Sequence, residues 1–208
     1  MNKLWVYGCS FSEPFGIELG GPQFFDNGYR NITADYWGTH LADKLNRICV
    51  TRSISGVGWN KIVNTIDEDI TTWTKEDIII ISPSFLDRAT ILEFHEPYIN
   101  SNNVALFKDW QQLFEYNKQR WLNTIRNLQH IGYNVYTWIV NDIPEHNLPN
   151  KLITAPDNSI NWKHWMDKHY EYWTSLPGVV YPAGDWHFNP QGHIAVADRM
   201  YEVICQQQ

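Results

Sequence analysis

The chain has 208 residues, one domain's length, and 43% are apolar, so a full core is available and neither disorder nor a disulfide-dependent miniprotein fits. The 16 Lys and Arg against 23 Asp and Glu leave a net charge of −7, which argues against a surface built to hold nucleic-acid phosphates. Cys9, Cys49 and Cys205 are odd in number and far apart, so a reducing compartment is expected in place of a disulfide framework.

The first predicted strand is Lys3-Leu4-Trp5-Val6-Tyr7, an apolar run stopped by Gly8. A glycine-rich, irregular stretch follows over residues 12–31, with Gly16, Gly20, Gly21 and Gly28. Near Thr33, the expected N-cap, a helix opens that carries Trp37, Leu41, Leu45 and Ile48 at three- or four-residue intervals. Ile48-Cys49-Val50 restarts as a strand, and Ile62, Val63, Ile66 and Ile70 describe a second amphipathic helix. Asp77 leads into Ile78-Ile79-Ile80-Ile81, an unbroken β-branched run that suits a central parallel strand covered on both faces. A long helix comes next, with Leu106, Trp110, Leu113, Trp121, Ile125 and Leu128 on one stripe and Gly132 as its stop.

Residues 135–140 form another predicted strand. Residues 141–161, with Pro144, Pro149 and Pro156, read as a loop, residues around 162–173 as a helix, and Val179-Val180-Tyr181 as a last short strand. The closing helix has Asn189 as N-cap and Pro190 at its first position, with Ile194, Ala197, Tyr201 and Ile204 facing inward. Alternation of strands with helical crossovers predicts one α/β domain, a parallel sheet between two layers of helices. No apolar run approaches the roughly 18 residues of a membrane helix, and the stretch from Met1 to Tyr7 is too short for the apolar region of a secretory signal. The expected setting is therefore cytoplasmic or phage- or virus-associated, with no membrane partner.

In an open parallel sheet a ligand lies beyond the carboxyl ends of the strands. The segments at those ends are Gly8-Cys9-Ser10-Phe11-Ser12, Ser53-Ile54-Ser55-Gly56-Val57-Gly58, Ser82-Pro83-Ser84 and, after the last predicted strand, Asp185-Trp186-His187. A serine hydroxyl is a poor nucleophile until a neighbouring base takes its proton, and that base must be oriented by a third group. Ser10, His187 and Asp185 supply these three residue types from the first and last segments. Glycines at such a rim let backbone N–H groups approach a substrate oxygen, as an oxyanion hole requires.

These segments resemble those of the SGNH (GDSL-type) hydrolases. The run from Val6 to Ser12 is similar to that superfamily's first block, a strand ending in Gly-Asp-Ser with Thr or Ser two residues on. Trp37 with Leu41-Ala42 resembles the Trp-Pro-x-x-Leu-Ala pattern of its first helix. Ser55-Gly56-Val57-Gly58-Trp59-Asn60 resembles the second block, whose glycine lends an amide to the oxyanion hole. Asp185-Trp186-His187-Phe188-Asn189-Pro190-Gln191-Gly192-His193 is similar to the fifth block, in which an Asp and a His precede a Pro-x-x-Gly-His helix start.

The resemblance implies a flavodoxin-like three-layer sandwich with a central parallel sheet of about five strands, as a single SGNH-hydrolase-like domain over residues 1–208. It implies a serine esterase, lipase or carbohydrate deacetylase with Ser10 as nucleophile, His187 as base, Asp185 as its orienter, and the amides of Ser10 and Gly56 on the oxyanion. Three departures stand out. Cys9 replaces the usual Asp, the Asp-to-His spacing is one residue short, and Ser82-Pro83-Ser84-Phe85 lacks the third block's Asn donor. Ser84 and Asn60 are the candidate replacements; losing one such donor costs on the order of 10²- to 10³-fold in rate.

Each residue also has a plainer reading. Ser10 serves a turn, Gly56 and Gly58 a strand-to-helix connection, Ser84 a loop, and Asp185 accepts loop amides. Arg88 is a strut or an anchor for an acidic group. His193, inside a first helical turn, reads as packing and not as the base. Cys9 faces away from Ser10 if strand geometry continues past Gly8. Trp162, Trp165, His169 and Trp173 follow helical spacing and read as core, or as a sugar-stacking wall. Asp185, His187 and His193 lack accompanying metal-ligand spacing, so no metal and no cofactor are expected.

The expected activity is hydrolysis of small acyl esters by an acyl-enzyme route, foremost acetyl groups on glycans, since an acidic chain with 11 Trp and 11 Tyr suits polysaccharide work. The expected partner is that small-molecule or glycan ester; the sequence assigns no oligomeric state. The alternative is a catalytically weak or inactive SGNH-fold module that binds glycans. A nucleotide-binding domain fares worst, because no glycine-rich phosphate loop follows any strand.

Overall fold

The computed structural model describes residues 1–9, 12, 36–54, 57–83, 89–90, 98–99, 110–139, 151–153 and 190–207. Its strands are β1 (Lys3–Tyr7), β2 (Ile48–Thr51), β3 (Ile78–Ile81), β4 (Ala89–Thr90), β5 (Tyr98–Ile99), β6 (Asn134–Trp138) and β7 (Leu152–Ile153). Its helices are α1 (Trp37–Lys44), α2 (Trp59–Asp69), α3 (Trp110–His130) and α4 (Pro190–Gln206).

β1 shows the period of two that a strand imposes: Leu4 and Val6 enter one apolar cluster, Trp5 and Tyr7 the other. It pairs in parallel with β2 on one side and β3 on the other; β3 pairs with β6 and β6 with β7, again in parallel. The five-stranded sheet has the order β2-β1-β3-β6-β7, the flavodoxin-like doubly wound arrangement. β4 and β5 form a separate antiparallel ladder. All four isoleucines of β3 are fully buried, as the unbroken apolar run requires of a strand covered on both faces.

The two clusters define the outer layers. Trp37 and Leu41 of α1 pack with Val196, Met200 and Ile204 of α4 against the Leu4 and Val6 face. Trp59, Ile62 and Ile66 of α2 pack with Trp121, Ile125 and Leu128 of α3 against the Trp5 and Tyr7 face. The architecture is the expected α/β three-layer sandwich. No helix among the described residues is long and apolar enough to cross a membrane.

Two helices stop in the same way, around a left-handed residue. Tyr133 N–H donates to Leu128 O at 3.0 Å and Gly132 N–H to Gln129 O at 3.0 Å, with Gly132 at φ 88°. In α1, Arg47 N–H donates to Ala42 O at 2.9 Å and Asn46 N–H to Asp43 O at 3.1 Å, with Asn46 at φ 53°. The Gly132 stop is as expected from sequence.

Several boundaries differ from expectation. α1 begins at Trp37 with Tyr36 as its cap residue; Thr33 lies outside the described residues. Ile48 belongs to β2 and is largely exposed, because the chain has already turned at Asn46. α4 buries Val196, Ala197, Met200, Val203 and Ile204, while Ile194 and Tyr201 are exposed. Apolar residues occupy two adjoining phases of its 3.6-residue period, and packing against α1 selects one of them. The fifth sheet strand is Leu152–Ile153, within the stretch read as loop; two residues carry no visible alternation. The strand expected at Val179-Val180-Tyr181, the helix around residues 162–173 and Leu106 fall outside the described residues.

Asp77, just ahead of β3, is buried and ties the amino edge of the sheet together. It accepts from Lys3 N–H at 2.7 Å, Trp5 Nε1–H at 3.2 Å and Thr74 N–H at 3.0 Å. Burial alone would push the carboxyl up, but the Thr74 and Lys3 amides and the Trp5 indole outweigh it and hold the carboxyl below its ordinary range. A carboxyl depressed in the folded state adds stability above its unfolded value of about 3.9, lost as pH falls through the folded value. Asp77→Asn, which turns an amide N–H₂ toward these donors, is expected to cost about 2–3 kcal/mol at neutral pH. In urea titrations the gap to wild type should narrow as the solution is acidified through the folded Asp77 value. At Asn46, substitution by Gly removes a Cβ from the left-handed region and is expected to raise stability by about 0.5–1 kcal/mol in the same assay.

Candidate active site

The segments that leave β1, β2 and β3 are fastened side by side at the carboxyl edge. Ile54 N–H donates to Gly8 O at 3.1 Å, Arg52 N–H to Val6 O at 2.8 Å and Ser82 N–H to Tyr7 O at 2.9 Å. The Ser53 hydroxyl adds a bond to Val6 O at 3.3 Å. Beyond the strand, Ser12 N–H donates back to Cys9 O at 2.8 Å.

Gly8 is dictated by space. A Cβ there would stand 2.7 Å from Ser12 Oγ, 2.8 Å from Ser12 Cβ and 3.2 Å from Ser82 Cβ. Among the described residues the buried hydroxyls of Ser12 and Ser82 have no hydrogen-bond partner, and both stand beside Gly8 at the rim. Cys9 is buried with Leu4 and Val6. The expectation that Cys9 faces away from Ser10 involves a residue outside the described ones, and the strand alternation on which it was based ends at Tyr7.

The rim segment after β2 is braced from the other layer. Arg52 pairs with Asp69 at 2.7 Å and with Glu68 at 3.3 Å, both near the end of α2. Tyr7 OH donates to the same Asp69 oxygen at 3.0 Å and accepts from Trp73 Nε1–H at 3.0 Å. Burial first, then the neighbouring Asp69 carboxylate, push the Tyr7 hydroxyl far up, so it stays protonated and structural. At the start of α2, Gly58 is the cap residue and its carbonyl accepts from Lys61 N–H at 3.2 Å. Asn60 follows on the helix's first turn, partly exposed.

The start of α4 reaches the same edge through α1. The Trp37 ring stands edge-on to Trp138, the last residue of β6, with centroids 6.1 Å apart. Its backbone N–H, one of the donors a helix start leaves without an internal acceptor, donates to His193 Nδ1 at 3.3 Å. The His193 and Tyr36 rings meet edge to face at 6.5 Å. His193 is thus the packing residue expected, and an acceptor as well; a lone pair on Nδ1 puts its proton on Nε2. The Tyr36 hydroxyl bonds Thr51 Oγ1 and lies 3.4 Å from Cys49 Sγ. Burial pushes both the Tyr36 hydroxyl and the Cys49 thiol up, which keeps Cys49 a thiol and a poor nucleophile.

Of the residues assigned from sequence, Asn60 is described; Ser10, Gly56, Ser84, Asp185 and His187 lie outside the described residues, as do Arg88, Trp162, Trp165, His169 and Trp173. Among the described residues, no group of three or more His, Cys, Asp or Glu is placed to hold a metal ion. Sequence reasoning missed the Ser12 and Ser82 hydroxyls and the Trp37–His193 bond. Ser12 and Ser82 were visible as polar residues at strand exits. The partners of the other bond are 156 positions apart, beyond any local signal.

No protein-family model matches the chain, and no curated protein matches it in sequence. Among solved structures, it is similar to a carbohydrate esterase whose active site displays divergent catalytic and non-catalytic binding functions, at 11% identity and TM-score 0.49. That alignment covers 100% of this chain and 65% of the esterase, so the chain spans just under two thirds of its length. A family two carbohydrate esterase from Clostridium thermocellum, in complex with cellohexaose, aligns at 13% identity and TM-score 0.47 over 99% of this chain and 64% of that one. A protein assigned as a GDSL-like lipase, from Parabacteroides merdae, aligns at 12% identity and TM-score 0.49 over 98% and 95%.

Gly8→Ala forces a methyl into the Ser12 contact and is expected to cost about 1–3 kcal/mol of stability in urea unfolding. Gly8→Ala combined with Ser12→Gly, which removes the two nearest atoms, should recover part of that loss. A Gly8→Ala protein as stable as wild type would disprove the close approach.

Proposed function

We propose that the chain is a serine hydrolase of the SGNH type, a single domain over residues 1–208 that cleaves esters through an acyl-enzyme. Its substrates are small acyl esters, foremost acetyl groups on glycans. The observation that carries this reading is that the exit of β1 and the start of α4 occupy one edge of the sheet: Gly8 is bonded to Ile54 there, and His193 to Trp37. Ser10 directly follows Cys9. His187 and Asp185 precede Pro190 by three and five residues, a span of at most about 11 and about 18 Å of chain. The shared edge of these two anchors supports pairing a serine and a histidine from opposite ends of the sequence, as nucleophilic catalysis requires.

In this mechanism the Ser10 hydroxyl attacks the ester carbonyl carbon while His187 takes its proton. The tetrahedral oxyanion is held by the amides of Ser10 and Gly56, with Ser84 or Asn60 standing in for the Asn donor. Collapse breaks the bond to the alcohol oxygen, which leaves with the proton from His187. A water deprotonated by His187 then attacks the acyl-enzyme, releasing the acid and restoring Ser10. Asp185 holds the imidazole in the required tautomer. These steps call for no cofactor. The aromatic content, 11 Trp and 11 Tyr, supports a glycan as the alcohol part, since ring faces stack on sugars.

A second reading, a glycan-binding module without turnover, is favoured by one feature: Ser82-Pro83-Ser84-Phe85 offers no Asn. One experiment separates the two. Wild type is expected to form an adduct with a fluorophosphonate probe and to hydrolyse p-nitrophenyl acetate. Ser10→Ala should abolish the adduct, and Ser10→Ala or His187→Ala should lower kcat by about 10⁴- to 10⁶-fold. An unlabelled wild type, or equal labelling of Ser10→Ala, refutes the serine mechanism. Glycan affinity that survives both substitutions, with no ester turnover by wild type, establishes the binding module instead.

A further inference from the structure

We infer that His193 is a positioning residue for the hydrolytic site: its Nδ1 bond to the Trp37 amide fixes where α4 begins, and with it the anchor point of the segment that carries Asp185 and His187. The inference rests on the hydrolase reading above. Trp37 is the first residue of α1, so its N–H has no acceptor within the helix; the Tyr36 hydroxyl is engaged by Thr51 and Cys49, and Thr39 Oγ1 accepts from Tyr36 N–H. His193 supplies the acceptor from the first turn of α4, at 3.3 Å.

The bond differs in kind from what holds the rest of α4. Val196, Ala197, Met200 and Val203 pack against α1 and the sheet through apolar contacts, which are non-directional and tolerate a small slide along the helix axis. The Lys44–Asp198 pair, 2.8 Å apart, is half-exposed at both ends and constrains little. A hydrogen bond to a backbone amide is directional, and this one acts at the end of the helix nearest the proposed catalytic segment. His187 lies three residues before Pro190 in sequence, so the first turn of α4 is the nearest described anchor of the proposed base. Misplacement of a catalytic group by about 1 Å costs on the order of 10²-fold in rate.

The test compares His193→Leu, which removes the acceptor, with His193→Asn, whose Oδ1 takes the place of Nδ1. Met200→Ala, a cavity in the same α1–α4 interface, serves as a control for general loss of stability. Phosphonylation rates with the fluorophosphonate probe and kcat and KM for p-nitrophenyl acetate are measured beside urea midpoints. His193→Leu is expected to lose about 10- to 100-fold in phosphonylation rate and kcat with KM unchanged. His193→Asn should recover to within about threefold of wild type, and Met200→Ala should react at the wild-type rate below its unfolding transition. Nitrogen-15 spectra should show His193 protonated at Nε2 alone. Wild-type reactivity of His193→Leu, a matching loss in Met200→Ala, or a proton on Nδ1 overturns the positioning role while leaving the hydrolase reading intact. A wild type that does not react with the probe refutes the hydrolase reading, and this inference falls with it.

Discussion

Buried on both faces and hydrogen-bonded along both edges, β1 admits only one arrangement at its exit: backbone against backbone, with no side chain between. Leu4 and Val6 anchor one helical layer, Trp5 and Tyr7 the other, so neither layer can move without disturbing the same strand. The Asp77 carboxylate holds the amino end of the strand through Lys3 and Trp5. At the carboxyl end, Gly8 lets Ser12 and Ser82 approach to distances that any Cβ would forbid. A strand pinned at both ends, with a glycine where it leaves the sheet, fixes where the chain departs at Gly8 and Cys9.

The bracing around this exit consists of polar groups whose ionisation is suppressed or fixed. Tyr7 is held as a neutral phenol between the Trp73 indole and the Asp69 carboxylate, and Arg52 shares that carboxylate. Tyr36 is likewise kept neutral by burial beside Cys49 and Thr51. Buried groups that do not titrate near neutral pH keep their hydrogen bonds over a wide pH range. The scaffold under the rim therefore holds the same hydrogen bonds across the neutral range.

The core strands were legible because burial on two faces leaves a compositional mark: four consecutive isoleucines have few other places to go. Gly132 was legible for an equally local reason, the left-handed turn that ends α3. Asn46 makes the same turn at the end of α1 and was not read, since Asn is common enough elsewhere that its presence alone signals little. On α4, Ala197 and Ile204 were read correctly as inward, whereas Ile194 and Tyr201 are exposed and Val196, Met200 and Val203 take the inner face, because apolar residues occupy two adjoining phases of the helix. Leu152–Ile153 escaped notice because a strand of two residues has no period. At the site, the residue types were readable as motifs at strand exits, whereas the Trp37–His193 bond joins two separately recognised motifs through space alone. Local patterns record what a residue does to its neighbours in the chain; they do not record what it meets after folding.

That distinction bears on how such a site holds together. Its supports are long-range: Gly8 to Ile54, Tyr7 to Ser82, and Trp37 to His193. None exists in a partly folded chain whose strands have not yet aligned, so the geometry appears only when both helical layers have closed on the sheet. The reverse also follows. Separation of α4 from α1 removes the His193 bond while leaving β1, β2 and β3 paired, because those pairings do not run through α4. Such local openings have free energies below that of global unfolding. Docking of α4 through apolar burial along its length is therefore a precondition for the site, while the directional His193 bond at its first turn sets where the docked helix begins.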